Sequence, residues 1–306
     1  MPTSEPVYQV APDAPDVPRG LPLVIALSGF TDAGAAASQV IGILRDEVPG
    51  RVVARFTNDV LLDYRARRPV VTFDGDHLRD YRPPRLELTL QRDEEGAAFL
   101  SLAGYEPDFA WDAFAAGVLA LAHDLAVASV VWVHAIAMPV PHTRPIGTTV
   151  SGTRADLIEA HSIWRPTTEV PANAGHLLEL RFAEADVPVA GFVLLVPHYL
   201  ADAEYPATAL AAIESIAIAS GVSLPVGDRR DESREFLAKV DSQIEDNEEL
   251  QRMLEGLESR HDEYMAAVPG TSAVLGEYEI PSADELAAEL ERFLAGRRDD
   301  DARGGL

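Results

Sequence analysis

The hydrophobic pattern of this chain alternates between two periods. Continuous apolar runs at 21–27, 130–137 and 189–196 are typical of strands that are covered on both faces of a sheet. Apolar residues three to four positions apart over 109–126 predict a helix, and the small-residue segment 207–220 is typical of another. Strands that alternate with helices predict an α/β fold with a largely parallel or mixed sheet.

Shorter apolar segments add strands to this sheet. We expect strands at 51–56, 86–90 and 98–102, and Asp93-Glu94-Glu95-Gly96 predicts a hairpin turn between the last two. A brief strand at 7–10 is also expected. Together with the helices, these strands predict a three-layer α/β core built on a mixed sheet.

Two further helices are expected beside the predicted strands. Asp32 precedes the segment 33–47 and is suited to cap a helix there, because its carboxylate can accept hydrogen bonds from free amides of the first turn. The alanines at 35–37 would let this helix lie close to the sheet. The segment 172–184 has a helical pattern as well.

Composition divides the chain into four parts. Beyond Asp228 the residues become highly charged, with apolar side chains three to four apart, which predicts one long amphipathic helix or a helical pair ending before Pro269-Gly270. Ser282-Ala283-Asp284-Glu285 is a capping-box pattern and predicts a last helix to about 294. The predicted parts are an extended, proline-rich N-terminal arm at 1–20, an α/β core domain at 21–228, a helical appendix at 229–296 and a disordered tail at 297–306.

The net charge of −25 narrows the classes of function. Phosphate backbones and anionic lipid surfaces would be repelled over most of such a surface, so neither nucleic acid nor a membrane is an expected partner. There is no apolar run long enough to span a bilayer, and the N-terminus lacks the features of a signal peptide. We expect a soluble cytoplasmic protein.

Composition also removes some catalytic chemistries. The chain has no cysteine, which excludes disulfides, thiolate metal sites and a cysteine nucleophile. Lys239 is the only lysine and lies in the charged helical segment, so Schiff-base chemistry is not expected.

A stiff loop follows the predicted strand at 130–137. Pro139-Val140-Pro141-His142-Thr143-Arg144-Pro145 contains three prolines, which hold His142 and Arg144 on a restrained backbone. His198 and Tyr199 follow the strand at 189–196 in the same way. Loops at the carboxyl ends of strands are frequent binding sites in α/β folds, and the two histidines can share one edge of the sheet.

These histidines leave several chemical interpretations open. A histidine pair with Asp32 or Glu106 would make a metal site, or a general base with an orienting carboxylate. No H-E-x-x-H or H-x-H spacing supports a metal, and Ser28 lacks the G-x-S-x-G elbow of a serine hydrolase. No metal and no cofactor is therefore predicted, and histidines that satisfy loop carbonyls are the commoner outcome.

The segment Gly29-Phe30-Thr31-Asp32-Ala33-Gly34 joins a predicted strand to a predicted helix, where phosphate-binding loops occur. It has neither the lysine and hydroxyl residue that follow a Walker glycine nor the G-x-G-x-x-G spacing of a dinucleotide-binding turn. Amides at the helix start could still hold an anion. The simpler interpretation is a tight turn with Asp32 as the helix cap.

Three arginines at 65–68 lie beside Asp63. Arg67 has the i,i+4 spacing of a helical ion pair with Asp63, and Arg65 and Arg68 flank it. The segment is either a solvated charged turn or an ion-pair network at an active site or between subunits.

Glu106-Pro107-Asp108 leads into the predicted helix at 109–126. Asp108 is suited to cap this helix, with Trp111 as an anchoring aromatic in its first turn. Alternatively, Glu106 and Asp108 form a carboxylate pair for acid–base chemistry.

Five short motifs occur in a fixed order between about 21 and 225. They are Gly29-Phe30-Thr31-Asp32-Ala33-Gly34, Asp63-Tyr64-Arg65-Ala66-Arg67-Arg68-Pro69, Glu106-Pro107-Asp108 with Trp111, Pro141-His142-Thr143-Arg144-Pro145, and Val196-Pro197-His198-Tyr199-Leu200. Together they resemble the proteasome assembly chaperone 2 family in its bacterial branch. The resemblance implies a phosphorylase/hydrolase-type α/β sandwich, similar to purine nucleoside phosphorylases, and relatives that act as chaperones for proteasome α-subunits. Such chaperones often end in a hydrophobic-Tyr-any tripeptide, whereas this chain ends Gly304-Gly305-Leu306, so docking by that route is not expected.

The leading hypothesis is a protein-binding, assembly-chaperone-like role as a homo-oligomer, with proteasome subunits as partners and no enzymatic activity. The competing hypothesis is a small-ligand-binding protein or a nucleoside phosphorylase/hydrolase-like enzyme with a polar site at the strand ends. A third is a structural subunit whose helical appendix makes the oligomer contacts. The candidate residues of a functional cleft are Asp32, Arg65, Glu106, Trp111, His142, Arg144, His198 and Tyr199.

Overall fold

The computed structural model describes residues 6–165 and 167–267, and its centre is one large mixed sheet. The strands are β1 (Tyr8–Val10), β2 (Pro22–Ser28), β3 (Gly50–Phe56), β4 (Val70–Asp74), β5 (His77–Arg82), β6 (Leu86–Arg92), β7 (Ala98–Tyr105), β8 (Ser129–Met138), β9 (Gly147–Gly152) and β10 (Val189–Pro197). The α-helices are α1 (Ala36–Gly42), α2 (Asn58–Leu61), α3 (Trp111–Asp124), α4 (Ala155–His161), α5 (Ala174–Glu184), α6 (Pro206–Ser220), α7 (Arg229–Glu245) and α8 (Glu248–Ala267).

Eight of these strands form the central sheet, in the order β1-β3-β6-β7-β2-β8-β10-β9. The middle strands β7, β2, β8 and β10 run parallel, and β6 and β9 join them antiparallel. The parallel strands are the continuous apolar runs of the sequence, because each is covered on both faces. Their carboxyl ends therefore lie at one edge of the sheet.

Helices cover both faces of the sheet and create two separate cores. Alternate residues of β2 divide between them: Val24 packs with α1 and α6, whereas Leu23 and Ile25 pack with α3 and α5. Phe114 of α3 and Phe182 of α5 are completely buried in the second core. The predicted three-layer α/β core with a mixed sheet is confirmed.

The charged segment after 228 is a pair of helices, α7 and α8. Asn247 separates them, because its side-chain oxygen accepts hydrogen bonds from the amides of Glu249 and Leu250 and so caps α8. Phe236 of α7 stacks on Tyr205, with ring centroids 5.2 Å apart. The described residues up to Tyr264 form one compact unit, and a second begins at Met265. The helix predicted at 282–294 and the tail at 297–306 lie outside the described residues.

The helix predicted at 33–47 consists of three short pieces. A 3₁₀ turn at Ala33–Ala35 precedes α1, and a π-helical turn at Ile43–Glu47 follows it. Gly34 and Ala35 have positive φ values of 66° and 55°, so the chain turns there before α1 begins.

Sequence patterning missed the β4–β5 hairpin, β9 and α4. The hairpin forms a separate two-stranded sheet in which almost every residue is exposed, so it lacks the buried alternation that marks a strand. Among the described residues, no helix is sufficiently long and apolar to cross a membrane.

Candidate functional site

A small polar cavity lies where β2, β7 and β8 end. Gly29, Phe30 and Thr31 of the loop after β2 line it, together with Glu106 after β7 and His134 in the middle of β8. Asn173 and Gly175 at the start of α5 complete the wall. The cavity volume is about 10 Å³, which is room for about one water molecule. It occupies the edge at which α/β folds commonly bind ligands.

Glu106 is a buried carboxylate that ties three elements together. One of its oxygens accepts a hydrogen bond from the Phe30 amide at 3.0 Å, and the other accepts one from the Ala174 amide at 2.7 Å. Gly29 is required here, since a Cβ at that position would lie 1.8 Å from a Glu106 carboxylate oxygen. Glu106 therefore holds the β2 loop against the start of α5, and the predicted acid–base pair with Asp108 is not formed.

His134 is the buried imidazole of the cavity. Its Nε2 lies 3.1 Å from the hydroxyl oxygen of Thr31, and its ring stacks on Trp132. Burial is the main cause that lowers the pKa of His134 to about 4, and the neighbouring His176 lowers it further. The ring is therefore neutral at pH 7.

His176 closes the other side of this cluster, edge-on to His134. Its Nδ1 accepts a hydrogen bond from the Asn173 amide, while the Asn173 side chain accepts one from the His176 amide. This reciprocal pair caps α5. Because Nδ1 accepts, the ring hydrogen is on Nε2. Burial lowers the pKa of His176, although the charge of Glu106 opposes that shift.

The cluster combines a neutral imidazole, a hydroxyl and a carboxylate, which are the groups of an acid–base site. The space beside them holds about one water molecule. In the part of the chain that the structure describes, no group of histidine, aspartate and glutamate side chains is arranged to hold a metal ion.

His142 of the proline-rich loop is buried and makes three polar contacts. Its side chain is 2% exposed. The Tyr199 hydroxyl oxygen lies 2.8 Å from its amide nitrogen and 2.7 Å from its Nδ1. Nε2 lies 2.9 Å from an oxygen of Asp241 in α7. Because a carboxylate only accepts, Nε2 donates, and in the neutral ring Nδ1 accepts the Tyr199 hydroxyl hydrogen. His142 thus links its loop to the 3₁₀ turn at His198–Leu200, which follows β10, and to α7.

The remainder of this loop is bound by α8. Arg144 donates to both carboxylate oxygens of Asp262, at 2.9 and 2.6 Å, and lies 3.4 Å from Glu258. Thr143 donates to Glu258 as well. The hydrogen bonds from Arg144 lower the pKa of Asp262 to about 2. We call this set of contacts between the loop 139–145 and the helices α7 and α8 the helical clamp.

The Asp32 carboxylate caps the first turn of α1 from outside the N-cap position, which Ala35 occupies. The carboxylate accepts hydrogen bonds from the amides of Ala37 and Ser38 at 2.7 and 2.9 Å. Those are the donors that an anion would need at the start of α1, so the Asp32 carboxylate occupies that place.

The predicted ion pair between Asp63 and Arg67 is wrong. The Arg67 amide does donate to the Asp63 carbonyl at 3.0 Å, but the Asp63 carboxylate lies near Arg65 instead. Arg67 pairs with Asp108, which also accepts a hydrogen bond from the Asp63 amide. Asp108 consequently does not cap α3, which begins after Ala110 at a positive φ of 53°. Trp111 is in the first turn, as expected, and its indole donates to the Pro107 carbonyl.

The predicted cleft residues are therefore divided among separate places. His142 and Tyr199 are in contact, and the ring of His198 packs edge-on to Tyr199. Of the eight, Glu106 lines the cavity. Arg144 belongs to the helical clamp, Arg65 is largely exposed beside Asp63, and Asp32 caps α1.

Sequence reasoning did not identify Thr31, His134, Asn173 and His176 as site residues. His134 interrupts an otherwise apolar strand, which was a usable signal. Asn173 and His176 have the N-cap and third-position spacing of a capping box, although with histidine in place of glutamate.

The comparisons with known proteins agree with this fold. The family model described as the PAC2 family matches residues 26–244. A Mycobacterium tuberculosis protein of unknown function, Rv2714, is 37% identical, with a TM-score of 0.79 over 87% of this chain and 94% of its own. A Corynebacterium glutamicum protein of unknown function is 32% identical, with a TM-score of 0.80 over 85% of this chain and 98% of its own.

A more distant structure shares the fold. The M. tuberculosis proteasome-assembly chaperone homologue Rv2125 is 22% identical, with a TM-score of 0.68 over 76% of this chain and 100% of its own. Among curated proteins, none matches the sequence. Since the family model matches well over half of the residues, this chain belongs to the PAC2 family.

Proposed function

We propose that this protein binds other proteins as an assembly-chaperone-like factor, acts as a homo-oligomer and has proteasome subunits as partners. Family membership and the shared fold with a proteasome-assembly chaperone homologue support the proposal. The partner in that case is a folded or folding polypeptide surface, which needs exposed apolar area and no deep pocket.

The proposal rests on one observation: the polar candidate side chains are occupied within the chain, whereas several large apolar side chains are exposed. The cavity at the strand ends holds about one water molecule, and His142 and Arg144 are occupied by contacts within the chain. Large apolar side chains are exposed instead, including Phe30 at the mouth of that cavity and Phe73 on the β4–β5 hairpin. This distribution suits a protein surface better than a small substrate.

Binding to purified proteasome subunits tests this function. The purified chain is immobilised and exposed at micromolar concentration to the α- and β-subunits of its own organism, with an unrelated protein of similar net charge as the control. We expect saturable binding to at least one subunit. Absence of binding to every subunit, while the control is also negative, overturns the proposed function.

The cavity cluster supports a second function, binding of a small ligand. Its specific feature is the neutral His134 beside Thr31 and Glu106, at the edge where α/β folds bind ligands. Nuclear magnetic resonance of the histidine rings tests it, with phosphate and nucleosides as probes. We expect ligand-induced shifts for His134 and His176 that disappear in Thr31→Val. Unchanged ring signals at millimolar probe exclude this function.

A further inference from the structure

A hydroxyl group and an imidazole are in contact beside the cavity at the strand ends. The hydroxyl oxygen of Thr31 lies 3.1 Å from Nε2 of His134, which is within the distance between a nucleophile and its general base in acyl-transfer enzymes. Thr31 is half-buried in the loop after β2, whereas His134 is 6% exposed. A ligand at the cavity can therefore meet the hydroxyl group while the imidazole behind it is shielded from water.

The protonation state of His134 suits the role of a base. The ring is neutral at pH 7, because burial is the main cause that lowers its pKa to about 4. When the ring hydrogen is on Nδ1, Nε2 accepts the hydrogen of the Thr31 hydroxyl group. Among the described residues, this is the only hydrogen bond of that hydroxyl group. The proton of Thr31 thus has one acceptor, and that acceptor is free to take it.

Packing holds the His134 ring in place. The ring stacks on Trp132 with the ring centroids 5.9 Å apart, and His176 lies edge-on to it at the same centroid distance of 5.9 Å. The indole of Trp132 is itself fixed, because its Nε1 donates to a carboxylate oxygen of Glu179 at 2.6 Å. Neighbouring rings therefore orient the imidazole here, whereas a carboxylate does so in a Ser-His-Asp triad.

Free backbone amides lie next to the same hydroxyl group. The amides of Thr31 and Asp32 donate no hydrogen bond in the part of the chain that the structure describes. The preceding amide, that of Phe30, is occupied by Glu106. Free amides beside a nucleophile are the donors that stabilise the oxyanion of a tetrahedral intermediate. The loop after β2 thus carries both a nucleophile and donors for the charge that its attack creates.

We propose that Thr31 and His134 are the nucleophile and the general base of a site that hydrolyses small esters through an acyl-threonine intermediate. The inference rests on the second function proposed above, the binding of a small ligand at this cavity, and adds a reaction to it. The cavity has room for about one water molecule, so the acyl group that fits there has about one or two carbons, as in an acetyl ester.

The first step transfers the acyl group to the protein. The Thr31 oxygen forms a bond to the carbonyl carbon of the ester, and its hydrogen passes to Nε2 of His134. The bond between that carbon and the alkoxy oxygen breaks, and the alcohol leaves with the hydrogen from His134. The protein is left as an ester of Thr31 with a neutral imidazole.

The second step uses water as the co-reactant. A water oxygen bonds to the acyl carbon, and a water hydrogen passes through His134 to the Thr31 oxygen as the ester bond breaks. The products are a carboxylic acid and an alcohol, and the protein returns to its initial state. An imidazole with a pKa of about 4 is a weak base, so turnover should be slow and trapping of the nucleophile is the sharper measurement.

Covalent labelling of the full chain tests the inference. A fluorophosphonate reacts with a hydroxyl group that a neighbouring base activates. We expect the mass of the chain to rise by one phosphonyl group, and peptide mass spectrometry to place that group on Thr31. Thr31→Val should abolish the labelling, whereas Thr31→Ser keeps the hydroxyl group and should retain it. The matched control is Thr143→Val, which removes an exposed hydroxyl group that donates to Glu258 and should be labelled like the wild type.

The role of the imidazole is measured by the labelling rate. His134→Gln should slow the labelling roughly 100-fold or more, because the hydroxyl group loses its base. His123→Gln, a change of an exposed histidine on α3, should leave the rate unchanged. Circular dichroism and the thermal midpoint show that the variants are folded. Absence of an adduct at millimolar fluorophosphonate overturns the inference. An adduct on another residue, or a rate that His134→Gln does not change, overturns it as well.

Nitrophenyl esters test the size of the acyl group. With nitrophenyl acetate we expect a burst of about one nitrophenolate per chain and then slow turnover, and neither with Thr31→Val. Nitrophenyl hexanoate should react at least about tenfold more slowly, because its acyl group exceeds the cavity. Equal rates for the two esters contradict the proposed substrate class.

The outcomes separate this inference from the function on which it rests. If the ring signals of His134 and His176 respond to phosphate or nucleosides but no adduct forms, the ligand-binding function remains and the inference fails. If the ring signals are unchanged and no adduct forms, both fail.

Discussion

The proline-rich loop at 139–145 and the hairpin segment at 64–85 resemble each other in sequence and differ in their surroundings. Both contain three prolines and charged residues. The loop has its partners within the chain, because Asp241 and Asp262 reach it from helices about a hundred residues later. In the hairpin segment, Arg68, Arg82 and Arg85 are exposed and make no ion pair among the described residues, and the side chains of Phe73 and Leu78 are exposed. The loop is thus held within the folded chain, whereas the hairpin is largely exposed to solvent.

The proline-rich loop and the hairpin segment should therefore contribute differently to the free energy of unfolding. Side chains of the helical clamp stabilise the folded monomer, since their hydrogen bonds exist in a single copy. Substitution of the exposed side chains of the hairpin segment should change the free energy of unfolding little.

The largest effect is expected for His142→Ala in the clamp. The change removes a ring that is almost completely buried and leaves the Tyr199 hydroxyl without its ring partner, so the free energy of unfolding should fall by about 3 kcal/mol. Urea unfolding measures it. Tyr81→Ala on the hairpin is the control, with an expected change within about 0.5 kcal/mol. If His142→Ala and Tyr81→Ala lowered the free energy of unfolding equally, the clamp would not be more important for stability than the hairpin.

His134 in the cavity should make the free energy of unfolding depend on pH. The pKa of His134 is about 4 in the folded protein and 6.5 in the unfolded chain. Between these values the unfolded chain binds a proton that the folded protein does not, so stability decreases as the pH falls. Between pH 6.5 and 5 the loss from His134 is about 2 kcal/mol, and the lowered pKa of His176 acts in the same direction. His134→Gln should flatten this part of the stability–pH curve.

Asp262 of the clamp responds in a lower pH window. Its pKa is about 2 in the folded protein against 3.8 unfolded, so its contribution is present above 3.8 and is lost as the pH falls towards 2. Arg144→Gln should remove the change in stability that Asp262 causes below pH 3.8 and leave the change that His134 causes between pH 6.5 and 5. If His134→Gln and Arg144→Gln change stability over the same pH range, the clamp and the cavity titrate together.

A smaller effect is expected for Tyr199→Phe. The change keeps the ring but removes the hydroxyl that accepts from the His142 amide, so the free energy of unfolding should fall by about 1 kcal/mol. Burial raises the pKa of this hydroxyl to about 12, so it stays protonated throughout the physiological range. Tyr81→Phe removes a hydroxyl from the exposed hairpin and is the control. Chemical denaturation that gives the same midpoint for both variants would contradict the role of Tyr199.

The smallest effect should come from Arg144→Gln at neutral pH. Its partners are partly exposed, and such ion pairs contribute little to global stability. The expected result is a several-fold faster hydrogen exchange of amides in α8, because the helix loses its attachment to the loop. Arg82→Gln should leave those amides unchanged. Protection of α8 that does not respond to Arg144→Gln would show that other contacts, such as Tyr264 with the Ile163 carbonyl, hold the helix.

Local sequence patterns predicted the core because strands that are buried on both faces consist of continuous apolar residues. β2, β8 and β10 are continuous apolar runs. Asp32 was predicted as an N-cap residue, but the N-cap of α1 is Ala35, and the Asp32 carboxylate reaches the amides of Ala37 and Ser38 because the chain turns at Gly34 and Ala35.

The β4–β5 hairpin was not predicted, because a strand that is exposed on both faces has no alternation of apolar and polar residues that would indicate a buried face. The partner of Arg67 was misassigned because its guanidinium pairs with Asp108, a residue 41 positions later that local spacing does not indicate.

The sequence by itself determined the α/β class, the acidic character, the helical character after 228 and the stiffness of the proline-rich loop, since each depends on neighbouring residues. Only the tertiary structure decided that His142 meets Asp241, that Glu106 joins the β2 loop to α5, and that His134 is buried beside Thr31. Those contacts join residues about 70 to 100 positions apart, and side chains so distant are brought together by the packing of helices on a sheet, for which no local spacing is a signal.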